Sequence, residues 1–90
     1  MRSKNSKAHT AAEERHLAAV KELPCAVCDA PAPSSAHHIK QGDHFTAVAL
    51  CWHCHQGAQG IHGDKTLWRI RKLDELGALN ITLSRLAQAR

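Results

Sequence analysis

Apolar positions along this chain fall into short, separated groups. Leu17, Ala19 and Val20 give one modest apolar face to the stretch after Thr10. Thr10-Ala-Ala-Glu13 in front of it reads as a capping box, with Thr10 as N-cap and Glu13 reaching back to it. Helix formers continue through Lys21 and Pro24 stops them, which predicts a helix over about 11–22 inside an N-terminal segment 10–23. The prolines in Ala30-Pro-Ala-Pro-Ser-Ser35 deny both helix and ladder, so that segment is a loop. Two short strands are predicted next, Ser35–Lys40 and Thr46–Leu50, on either side of a Gln41-Gly42-Asp43 turn. The second contains a run of apolar residues, as a buried strand does. Gly57, Gly60 and Gly63 interrupt the following stretch. Asp64 then reads as the N-cap of a helix over 65–76, with Leu67, Ile70, Leu73 and Leu76 inward and Gly77 as its C′ residue. A last short helix runs from Asn80, with Leu83 and Leu86 facing the body. Residues 1–9 read as a mobile basic tail.

Ninety residues make one small domain, 1–90. A chain of this length buries only about 60–65% of the surface it exposes when unfolded, so a staple is expected. Three aromatic residues are too few to build the core, whereas four Cys and eight His offer metal ligands. Twelve Lys and Arg against eight Asp and Glu leave +4, which favours an acidic partner such as nucleic acid. No apolar run is long enough to span a membrane, and the basic start lacks the apolar core of a secretory signal. The expected setting is therefore intracellular and cytoplasmic. Large multidomain enzymes, dinucleotide-binding folds and membrane proteins are excluded.

The charge is unevenly spread. Residues 1–24 carry +2 and residues 64–90 carry +3, while residues 25–63 carry −1. That middle segment holds all four Cys and six of the eight His. Cys25-Ala-Val-Cys28 and Cys51-Trp-His-Cys54 are two Cys-x-x-Cys knuckles separated by 22 residues. Together they supply four thiolates for a closed tetrahedral zinc site, and a closed site has no position for substrate. In a reducing compartment this reading outweighs disulfides, and a lone thioredoxin-like pair would need a different setting. Such a zinc can contribute about 10–16 kcal/mol of apparent folding free energy.

With zinc satisfied by sulfur, the histidines are left over. His37 and His38 lie between the knuckles, His44 follows the turn, His55 follows Cys54, and His62 ends the Gly-rich stretch. Adjacent His37 and His38 on a strand point to opposite faces. His53, inside the second knuckle, reads as a surface residue or as one standing behind the metal ligands, and His9 and His16 carry no motif. Ala36-His-His-Ile39, His44 seven residues before Cys51, and Leu50-Cys-x-x-Cys-His55 together resemble the ββα-metal core of HNH endonucleases. The step to Ile61-His62-Gly63 and a Trp-bearing basic helix is similar to the phage Ref-type nuclease subgroup. The resemblance spans about residues 24–73.

The resemblance implies a small α+β fold: a zinc-stabilised ββα-metal (HNH, or His-Me finger) core over 24–63, with flanking helices including C-terminal ones over 64–90. It implies a metal-dependent DNA endonuclease that leaves 5′-phosphate and 3′-hydroxyl ends. His37 would bind the catalytic metal and His38 would be the general base. His44 stands where the family usually has Asn, orienting the base. His55 is a further metal ligand and His62 a second candidate; the Gly57–Gly60 insertion leaves open which of them completes the shell. Imidazoles suit Zn, Ni or Co, while the family often uses Mg or Mn. Lys65, Arg69, Arg71 and Lys72 would contact phosphate. The same four also fit a solvated helix face, with Asp74 and Glu75 as partners of Arg71. Trp68 reads as core or as a platform under the knuckle. DNA is the expected partner, with a homodimer or a protein activator as further partners; double-strand cutting would require a dimer or two encounters, and a phage or mobile-element origin suits the size. The competing readings are a zinc-dependent nucleic-acid-binding module without catalysis and a zinc-stabilised protein-interaction module.

Overall fold

The computed structural model describes residues 9–89. The tail expectation for residues 1–8 lies outside them. Among the described residues the order is α1 (Ala11–Lys21), β1 (Ser35–His38), β2 (Ala47–Leu50), α2 (Trp52–His55), α3 (Thr66–Ile70) and α4 (Glu75–Gln88). This is a small α+β domain. Among the described residues no helix is long and apolar enough to cross a membrane.

α1 starts where its capping box directs: the Glu13 amide donates to Thr10 Oγ1 at 3.1 Å and the Thr10 amide to Glu13 Oε1 at 2.8 Å. β1 and β2 form an antiparallel pair in the register Ser35↔Leu50, Ala36↔Ala49, His37↔Val48, His38↔Ala47. Both strands are shorter than predicted, and their ladder is prolonged only by the Ile39 amide bonding the Thr46 carbonyl at 3.3 Å.

All four residues of β2 are buried, because both faces of the hairpin are covered. Val48 and Leu50 join Cys25, Val27, Cys54, Trp68, Ala78 and Leu79 on one side. Ala49, on the other face as strand alternation requires, packs with Val20 and Leu23 of the α1 segment and with Leu86. Directly opposed residues share a face, so His37 lies on the knuckle side with Val48. His38 lies on the α1 side with Ala47.

The single helix predicted over 65–76 is two. α3 ends in a Schellman turn: Lys72 is left-handed (φ 56°), its amide bonds the Arg69 carbonyl, and the Leu73 amide bonds the Trp68 carbonyl, both at 3.0 Å. Lys72, not Gly77, is therefore the C′ residue. Asp74 restarts the chain as N-cap of α4, accepting from the Gly77 amide at 2.7 Å. The turn breaks the expected apolar stripe: Ile70 and Leu76 are 68% and 71% exposed, and Trp68 is the buried residue of α3. α4 starts five residues before the predicted Asn80 and buries Ala78, Leu79 and Thr82, while Leu83 is exposed. Nor does Asp64 cap α3. Its carboxylate accepts from the amide and hydroxyl of Thr66, and left-handed Lys65 occupies the N-cap position.

Candidate metal centre and histidine site

The two knuckles meet beside β2. The Ala26 amide bonds the Ala49 carbonyl at 2.8 Å, which fixes the first knuckle to the strand. Arg85 of α4 holds it from the other side through the Cys25 carbonyl (3.2 Å) and the Asp29 carboxylate (2.5 Å). Cys51 directly follows β2 and Cys54 lies in α2. The four sulfurs lie within 4.8 Å of one another, and none is in a disulfide. Cys28 and Cys51 Sγ are 3.6 Å apart. Thiolates about 2.3 Å from a shared tetrahedral ion would stand about 3.8 Å apart, so the donor set fits a structural metal such as zinc.

Its electrostatics agree. Burial pushes the Cys25 thiol up, but hydrogen bonds with the Cys51, Cys28 and Val27 backbone outweigh it and bring the pKa below the ordinary value. Burial raises Cys28, and burial together with the Cys25 charge raises Cys54 strongly. Burial thus resists ionisation at Cys28 and Cys54, a cost that a bound cation would offset.

A second convergence lies on the same side of the hairpin. Ligand nitrogens of His37, His55 and His62 all fall within 4.8 Å of one another. His37 is 6% exposed on β1, and its Nδ1 faces His55 Nε2 at 3.3 Å. Two imidazole nitrogens about 2.0–2.1 Å from one tetrahedral ion would be about 3.3–3.4 Å apart, so this set also fits a cation. Burial, then the charges of His37 and His62, push His55 below the ordinary histidine value, which favours the neutral ring that a ligand needs.

The Gly-rich insertion is what brings His62 into this set. The loop folds back on α2, with the Ile61 amide on the Cys54 carbonyl (2.8 Å) and the His62 amide on the His55 carbonyl (3.2 Å). A Cβ at Gly60 would sit 2.6 Å from the His53 carbonyl oxygen, and one at Gly63 would sit 2.1 Å from that of Ala58. Neither contact is tolerable, so glycine is required at both places. Trp68 closes the arrangement from below, 2% exposed, with its indole N–H on the Cys54 carbonyl at 2.9 Å.

On the α1 side, His38 Nε2 and His44 Nδ1 are 3.0 Å apart. His44 is buried, and its Nε2 has no hydrogen-bond partner among the described residues. Burial, then the charges of His44 and His9, lower the His38 pKa, against a hydrogen bond with the Ala36 backbone that raises it. His9 lies edge-on to His44, with ring centroids 4.2 Å apart.

No family model, curated protein or solved structure matches this chain.

Of the residues singled out from sequence, the structure brings together the four Cys, the His37–His55–His62 set and the His38–His44 pair. The four basic residues separate. Lys65 and Arg69 line a cleft of about 300 Å³ with Trp68, Asp74 and Glu75, whereas Arg71 and Lys72 are exposed outside it. Arg69 is itself engaged, donating to the Asp64 carbonyl (2.6 Å) and to Thr66 Oγ1 (3.2 Å). Asp74 and Glu75 are not partners of Arg71. Asp74 caps α4, and Glu75 Oε2 lies 2.6 Å from His37 Nε2. Sequence reasoning missed Glu75 as a member of the site. Asp74 and Glu75 stood within one predicted helix as partners of Arg71, and nothing local tied Glu75 to a histidine 38 residues away.

Proposed function

We propose that this chain is a metal-dependent DNA endonuclease of the HNH type, similar to the phage Ref-type nucleases, that hydrolyses phosphodiester bonds. The observation that carries the reading is the convergence of His37, His55 and His62 on one side of a hairpin flanked by four cysteines, with the half-buried His38 paired to the buried His44 on the other side of the same strand. A zinc held by Cys25, Cys28, Cys51 and Cys54 accounts for the fold alone. The histidines need a further role, and phosphodiester hydrolysis needs the groups they offer.

His37, His55 and His62 would hold a divalent cation; when bound, it supplies positive charge for the scissile phosphate and the leaving 3′-oxygen. His38 is the general base that takes a proton from the attacking water. Its lowered pKa keeps it unprotonated at neutral pH. His44 holds the His38 ring through the 3.0 Å bond, standing in for the family's usual Asn. Successive residues of β1 thus place the ligand and the base on the two sides of one strand end, and the His37 charge contributes to lowering the His38 pKa. Lys65 and Arg69, which line a cleft with Glu75, the partner of His37, are the phosphate contacts of this reading. One site cuts one strand, so a monomer nicks, and double-strand cutting calls for a dimer or two encounters. The test is conversion of supercoiled plasmid to the open circle with Mg, Mn, Ni or Co. EDTA-sensitive nicking supports the reading. DNA binding without cleavage in any metal would support a zinc-dependent binding module instead.

A further inference from the structure

Glu75 is the first residue of α4, and the contacts of that helix fix where its backbone sits. Asp74 caps the helix through the Gly77 amide. One turn further, Ala78 and Leu79 enter the core, and the fully buried Thr82 accepts from the Ala49 amide of β2 at 3.3 Å. The start of α4 is therefore held against the strand pair that carries His37. From there Glu75 Oε2 reaches His37 Nε2 at 2.6 Å, with the imidazole 7% and the carboxylate side chain 36% exposed. Glu75 is not one of the residues whose ligand atoms converge with those of His55 and His62.

The geometry points to Glu75 as the positioning residue of the histidine site: it locks His37 in the tautomer and orientation that present Nδ1 to a divalent cation. The inference rests on the metal-site reading above and deepens it. An ionised carboxylate only accepts, so the proton of a neutral His37 goes to Nε2 and the lone pair to Nδ1. Nδ1 is the nitrogen that faces His55 Nε2 at 3.3 Å. The opposite tautomer would aim an N–H at that ring and leave two acceptors meeting at Nε2. A carboxylate behind a ligating histidine also raises the basicity of the nitrogen on the far side, and losing such a partner typically costs about 10–100-fold in metal affinity. An ordinary helix-start ion pair would stabilise α4 and leave cation affinity unchanged. The two roles therefore separate by measurement.

The experiment uses the full chain with its cysteine centre filled with zinc. Wild type, Glu75→Gln and Glu75→Ala are titrated with Co(II), following visible absorption. Wild type should bind one further ion, Glu75→Ala about 10–100-fold more weakly, and Glu75→Gln, which keeps an acceptor without the charge, in between. In the zinc-only protein, ¹⁵N spectra of the histidine rings should show His37 protonated at Nε2 and bare at Nδ1, with that preference lost in Glu75→Ala. Equal Co(II) affinities in wild type and Glu75→Ala, or a protonated Nδ1 in wild type, would overturn this inference alone. No Co(II) binding at the histidines of wild type would overturn the metal-site reading and this inference with it.

Discussion

Thr82→Val isolates the contact that joins α4 to the hairpin. The threonine side chain is fully buried; its hydroxyl donates to the Ala78 carbonyl at 2.9 Å and accepts from the Ala49 amide at 3.3 Å. Ala49 turns both backbone groups away from β1, its carbonyl to the Ala26 amide and its N–H to Thr82. Valine has nearly the same shape and no acceptor, so the substitution leaves a buried N–H unpaired. That desolvation cost is about 1–3 kcal/mol, offset in part by burying a methyl where a hydroxyl was, for a net loss of about 1–2 kcal/mol. In a domain of this size the melting temperature should fall by roughly 4–16 °C. Both proteins must be unfolded at one buffered free-zinc concentration, because metal linkage otherwise sets the apparent stability. The Ala49 amide should also exchange faster with solvent. A Thr82→Val protein within about 0.5 kcal/mol of wild type, the scale of a neutral surface change, would refute the assignment of Thr82 as the partner of Ala49.

Three other outcomes follow from the site. His44→Asn retains a side chain able to donate to or accept from His38 and should keep most of the nicking activity. His44→Ala should lose about 10–100-fold, the scale for removing a group that orients another; equal rates for the two variants would remove His44 from the site. Stripping zinc with a strong chelator, or Cys25→Ser, should abolish the folded far-UV spectrum. The metal contributes about 10–16 kcal/mol, against a total stability of about 5–15 kcal/mol for an ordinary domain. A folded, zinc-free protein would contradict this. The acid limb of the nicking rate should lie below the ordinary histidine value of about 6.5, since activity is lost as pH falls through the lowered His38 pKa. A cation at His37 would push that pKa the same way, so a midpoint above 6.5 would argue against His38 as base.

Local signals carried much of this structure. The capping box at Thr10 places α1, and the two Cys-x-x-Cys knuckles enclose a hairpin whose apolar strand is buried on both faces. What local pattern missed depends on backbone conformation or distant pairing. Lys72 closes α3 in a left-handed turn without the glycine that usually marks one, so Gly77 drew the boundary into the first turn of α4. The Gly-rich insertion looked like a departure that put His62 in doubt, yet its close approach to α2 is what brings His62 to His55. Glu75 was illegible because its role depends on the placement of α4, which Thr82, Ala78 and Leu79 set through contacts with the hairpin and the core.

The role of His38 is decided by comparing wild type with His38→Ala in supercoiled-plasmid nicking, with both proteins zinc-loaded and shown to be folded. Wild type should convert the plasmid to the open circle in a metal-dependent, EDTA-sensitive way. His38→Ala should be slower by about 10²–10⁴-fold, the contribution of a positioned general base. A folded His38→Ala protein that nicks at the wild-type rate, or a wild-type protein that binds DNA and cuts it with no divalent metal, would contradict the account.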